Sequence, residues 1–90
     1  MLHTTSYIDH SIETPSGLPQ NIQTFLKQLD SYDKQGEWCL YFDRLDDLWV
    51  NSKNAIAANV MTNKDWKILE QKYWIHADEV YDEEMNNENI

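Results

Sequence analysis

The stretch from Glu37 to Thr62, EWCLYFDRLDDLWVNSKNAIAANVMT, contains no Gly or Pro and carries a sustained apolar period. Trp38, Tyr41, Phe42, Leu45, Leu48, Trp49, Ile56 and Val60 fall at the spacing of one buried helix face. A domain of 90 residues buries only about 60–65% of the surface its unfolded chain exposes, so it needs one long apolar surface to pack against. The stretch supplies a large aromatic area from two Trp, one Tyr and one Phe. The stretch is expected to be the central helix. Residues 38–42, WCLYF, are aromatic-rich enough to form a short strand instead.

The flanking segments suggest how this helix is covered. Pro19 suits the first turn of a helix, because its missing N–H would be unpaired there in any case. Ile22, Phe25, Leu26 and Leu29 then mark one face, Tyr32 extends it, and Lys34 followed by Gly36 supplies a stop. A first helix over about 19–35 is expected, joined to the central one as a helical hairpin. The weak helix formers Asn51 to Asn54 mark a place for a kink. Thr62 and Asp65 have the spacing of a capping box, with Asp in the usual place of Glu or Gln. They open TNKDWKILEQKYW, a third helix whose inward stripe is Trp66, Leu69 and Tyr73, with Lys67 and Glu70 available to pair outside. This helix can continue through Ala77 and Tyr81. Asp78 to Asn89 carries six acidic residues and no basic one, and carboxylates near a helix C-terminus oppose the macrodipole, so fraying is expected there.

The chain thus reads as an all-α, compact three-helix domain over residues 17–77, with a flexible arm over 1–16 and an acidic tail or frayed helix extension over 78–90. Tyr7 and Ile8 are the two arm residues able to dock on the core. A lone cysteine, Cys39, excludes an internal disulfide and points to a reducing compartment. Residues 1–17 lack the basic and apolar regions of a secretory signal, and no segment approaches the roughly 18 apolar residues of a membrane span. A cytoplasmic location is expected.

The pattern F-L-x-x-L-D-x-Y-x-x-x-G-E-W comprises Phe25, Leu26, Leu29, Asp30, Tyr32, Gly36, Glu37 and Trp38. It is followed by Leu40 to Asp43, then Met61, Thr62, Asp65, Trp66, Lys72 and Tyr73. Over residues 22–75 this resembles a group of small acidic helical proteins of unknown function from phages and integrative elements of Gram-positive bacteria. The resemblance implies a compact helical fold and a mobile-element setting, and carries over no catalytic residue. The group commonly has a Gly-containing turn before the M/I-T pair and a Gly after K-Y, where this chain has Ala58, Asn59 and Trp74.

Charge narrows the classes of function. A formal net charge of −9 opposes direct binding to nucleic acid or to an anionic membrane and favours a basic protein surface as partner. Asp43, Asp46 and Asp47 lie along one flank of the central helix, and none has Lys or Arg three or four residues later. They form either a solvated face partly neutralised by Arg44 or an acidic docking patch. Together with Asp78, Glu79, Asp82, Glu83 and Glu84, the patch would present carboxylates as a nucleic acid presents phosphates. A repressor, nuclease or CRISPR effector would be a fitting target for such a decoy. Trp49 and Trp66 follow the inward periods and are expected in the core. Trp74 lies beside Tyr73 and points elsewhere, either covering the core or serving as a partner-binding anchor.

His3, His10 and His76 have no metal-ligand spacing, so neither a metal nor another cofactor is expected. Cys39 sits in an apolar run and is expected to pack as a small hydrophobe. Gly17 and Gly36 are too few for a phosphate loop, and no nucleophile–base pair is recognisable. A non-enzymatic interaction module is the expected function. Self-association through aromatic helix faces, giving a homodimer or an assembly contact, is the alternative.

Overall fold

The structure, a computed structural model, describes residues 6–88. Helix α1 spans Gln20–Gln35 and α2 spans Trp38–Ala57, while α3 (Asn63–Leu69), a π-helical segment (Glu70–Ile75) and α4 (His76–Glu88) run on as one continuous third helix. Among the described residues there is no strand, and residues 38–42 are helical.

The helix ends follow local chemistry. Pro19 precedes the first residue of α1, and Gly36 ends it at φ 70° with the Glu37 N–H returned to the Tyr32 carbonyl at 2.9 Å, the six-to-one bond of a Schellman turn. Helix α2 runs unbroken through Asn51 to Asn54 and ends in the same way, with Asn59 at φ 62° and the Val60 N–H on the Ala55 carbonyl at 3.0 Å. Asparagine is the side chain that best tolerates this left-handed position after glycine. The capping box is formed: the Asp65 N–H donates to Thr62 Oγ1 at 3.1 Å, and the Thr62 N–H donates to the Asp65 carboxylate.

The buried line of α2 is Tyr41, Leu45, Leu48, Ser52 and Ala55, narrower and rotated relative to the expected stripe. Trp38, Trp49 and Val60 are 46%, 42% and 59% exposed, which corrects the placement of Trp49 in the core. Leu48 and Trp49 both fit a helical apolar period, yet only one of two adjacent residues can point to the helix-packing centre. Leu48 does, and the indoles lie on the flank toward the third helix, where Trp38 meets Tyr81 with ring centroids 5.5 Å apart. Cys39 is on the outer side of α2 and exposed, so it is not a core hydrophobe.

The Ser52 hydroxyl is wholly buried on α2 without a hydrogen-bond partner among the described residues, and such a group forfeits its hydration. Ser52→Ala is expected to raise stability by about 1 kcal/mol, visible as a higher urea midpoint at unchanged slope.

Two boundaries differ from expectation. Residues 6–16 are not a flexible arm, because Tyr7 and Ile8 are both 1% exposed and belong to the central core with Ile22, Leu29, Leu45 and Leu69. Two charged side chains fasten this strap. The Asp33 carboxylate of α1 accepts the Tyr7 N–H at 2.7 Å and the Ser6 hydroxyl at 2.5 Å, while Lys72 Nζ of the π segment donates to the Ile12 carbonyl at 2.6 Å. Residues 1–5 of the expected arm lie outside the described residues. The acidic tail is helical through Glu88, with residues 89 and 90 outside the described range. The unfavourable dipole is offset by packing, since Ala77 and Val80 are buried and Tyr81 packs edge-to-face with Phe42 and at a tilt with Trp38.

Candidate functional site

The π-helical segment shapes the surface of the third helix. The His76 N–H reaches back five residues to the Gln71 carbonyl, which widens the turn and disturbs the regular pairing. Two carbonyls here have partners from elsewhere in the fold: the Lys72 carbonyl accepts the Asp9 N–H of the strap at 2.9 Å, and the Tyr73 carbonyl accepts the Tyr41 hydroxyl at 2.6 Å. The wider turn buries the consecutive pair Lys72 and Tyr73 and leaves the next pair, Trp74 and Ile75, half-buried and exposed on the outer side.

That outer side and the flank of α2 enclose an open cleft of about 420 Å³ lined by Asp46, Trp49, Glu70, Trp74, Ile75 and Asp78. Its apolar floor is two indoles and an isoleucine, and its three charged groups are carboxylates supplied by both helices. The Trp74 ring is braced edge-to-face by Trp66, with centroids 6.4 Å apart and planes at 88°. Lys53 Nζ lies over the Trp49 ring, 4.6 Å from its centroid, a cation–π contact. Burial, and secondarily the neighbouring Asp82 carboxylate, push the Asp78 carboxyl above its usual value, so this carboxylate is partly desolvated and faces a like charge.

Of the residues singled out in the sequence, Asp46, Trp74 and Asp78 meet in this cleft. Asp43 and Asp47 lie outside it: Asp43 is exposed, and Asp47 pairs with Arg44 at 2.9 Å, whose guanidinium is also 5.8 Å from the Phe25 ring centroid. The three aspartates are therefore not one patch, because Arg44 neutralises its α1 side. Glu79, Asp82 and Glu83 are exposed on α4, whereas Glu84 is half-buried and hydrogen-bonds the Tyr7 hydroxyl, a contact that holds the strap. Trp49, Glu70 and Ile75 were not legible as site residues. Trp49 shares the core period, Glu70 reads as a surface pairing partner, and Ile75 becomes exposed through the π turn, which has no sequence signature here.

Among the described residues no group of three or more His, Cys, Asp or Glu side chains is placed to hold a metal ion, and no helix is long and apolar enough to cross a membrane. Comparison with protein-family models, with curated proteins and with solved structures gives no significant match. Fold and cleft together define a small all-α domain with an acid-rimmed aromatic groove between its second and third helices.

Proposed function

We propose that this protein is a non-enzymatic interaction module that engages a basic protein surface. In its sharpest form it acts as a mobile-element inhibitor that occupies the phosphate-binding groove of a nucleic-acid-binding protein. The observation that carries the reading is the cleft, in which Asp46, Glu70 and Asp78 surround Trp49, Trp74 and Ile75 on a chain of net charge −9. Carboxylates alone would give long-range attraction with little anchoring. Indoles that are accessible yet braced add the buried contact area typical of interface hot spots.

The test is displacement of labelled duplex from a panel of cationic nucleic-acid-binding domains, read by fluorescence anisotropy at several salt concentrations. The protein is expected to release the duplex from at least one domain, with an effect that fades as salt rises. The triple variant Asp46→Lys, Glu70→Lys, Asp78→Lys, which reverses the cleft carboxylates, should be at least about tenfold weaker while keeping its helical circular dichroism. A folded triple variant that displaces the duplex as well as the parent would remove the cleft carboxylates from the interface. Absence of displacement at any salt would overturn the decoy form of the proposal. The exposure of Trp38 and Trp49 favours self-association as the second reading, which sedimentation across a range of concentrations separates from a monomer.

A further inference from the structure

We propose that the cleft between α2 and the third helix is a receptor for a single arginine side chain presented by the partner; this rests on the basic-partner reading above. Three features of the cleft point to a cation with a flat face. Its charged groups are all carboxylates, and they come from both walls, Asp46 from α2 and Glu70 and Asp78 from the third helix. Its floor is aromatic, and one indole already holds a cation, since the Lys53 ammonium lies over the Trp49 ring. Its volume of about 420 Å³ falls in the lower part of the range for small-ligand sites, about 300–1,000 Å³, which suits one side chain rather than a helix.

Guanidinium chemistry fits this arrangement better than an ammonium does. An arginine head is planar, stacks on indole and presents paired N–H donors that match carboxylates in a two-point fork. It is also more weakly hydrated than a lysine head, so it loses less on entering a partly desolvated cleft. Asp78 faces the like charge of Asp82 in the free protein, and an arriving guanidinium would offset that repulsion. The π segment adds an independent indication. Such segments weaken regular helical bonding and are often found at functional sites, and here the segment places Trp74 and Ile75 in the lining of the cleft they share with Trp49.

The test is an NMR titration of the full chain with three peptides alike except at one position, which carries arginine, lysine or the uncharged isostere citrulline, with oligolysine as a fourth ligand. The arginine peptide is expected to shift the indole N–H resonances of Trp49 and Trp74. The lysine peptide should bind about tenfold more weakly, and citrulline should not bind detectably. The double variant Asp46→Asn, Asp78→Asn, verified as folded by its spectrum, should lose at least about tenfold in affinity for the arginine peptide. Equal affinity for arginine and lysine, or shifts confined to exposed acids such as Glu79 and Glu83, would overturn the arginine receptor. If oligolysine then still bound in a salt-dependent way, the acidic interaction module would stand without this cleft. Failure of all four ligands to bind would remove both.

Discussion

Asp33→Ala is expected to destabilise the protein by about 2–4 kcal/mol and to release residues 6–12 from the core. The Asp33 carboxylate is only 8% exposed and accepts both the Tyr7 amide and the Ser6 hydroxyl. Hydrogen bonds to a charged acceptor contribute about 1.5–3 kcal/mol each, and truncation would leave the buried Tyr7 N–H without this acceptor. A smaller term opposes the loss. Asp33 sits in the last turn of α1, where a negative charge is unfavourable by about 0.3–1 kcal/mol, so removing it returns part of the cost. Beyond the hydrogen bonds, a detached strap exposes Tyr7 and Ile8 and frees the Lys72 carbonyl from the Asp9 N–H. Urea unfolding followed by circular dichroism gives the stability change. Amide hydrogen exchange at Tyr7 and Asp9 should accelerate well before that of α2. The conservative Asp33→Asn variant, which retains one acceptor oxygen, should fall between the two. If exchange at Tyr7 is unchanged in Asp33→Ala, apolar packing alone holds the strap and the carboxylate is incidental.

The helix ends were legible because their determinants are local. Gly36 follows Lys34 where α1 stops, and Thr62 and Asp65 form the reciprocal cap that opens α3. The facing of α2 was less legible, because eight apolar residues compete for a stripe that Ser52 and Ala55 help to complete. The strap was legible only in part, as two residues, Tyr7 and Ile8, able to dock on the core. Tyr7 and Ile8 are two apolar residues in an aperiodic segment, and their seat depends on Asp33 and Lys72, which lie 26 and 65 positions from Tyr7. For the acidic tail the helical extension was legible but its order was not, since dipole repulsion is local while the packing of Val80 and Tyr81 that offsets it is tertiary. The cleft was legible in half. Asp46, Trp74 and Asp78 stood out by charge and by position beside Tyr73, but their meeting with Trp49, Glu70 and Ile75 depends on the π turn.

Alkaline unfolding should begin above pH 10 and be cooperative with ionisation of buried phenols. Burial pushes Tyr41 far above its ordinary value, with the Asp33 carboxylate adding to the shift, and its hydroxyl is committed to the Tyr73 carbonyl. Burial also raises Tyr73, against the opposing effect of a hydrogen bond from Thr14. Tyr7 is pushed up to about 12 by burial and then by the charge of the Glu84 carboxylate, which accepts a hydrogen bond from its hydroxyl. All three shifts have the same sign. The fold holds these protons more tightly than the unfolded chain does, so stability is fully present below the ordinary tyrosine value of 10 and is lost as pH rises through the folded values. Each tyrosine ionised only in the unfolded chain lowers stability by about 1.4 kcal/mol per pH unit. With three acting together, a small domain should cross its midpoint between pH 10 and about 12. Tyrosinate absorbance and loss of helical circular dichroism should then rise together in one transition. Tyr41→Phe removes one of the three ionisations, so its stability, though lower at neutral pH for want of the hydrogen bond, should decline less steeply above pH 10. Tyrosinate absorbance that saturates while the helices remain intact would show that these phenols ionise in place, and the assignment of Tyr41 and Tyr73 to a water-excluded core would fall.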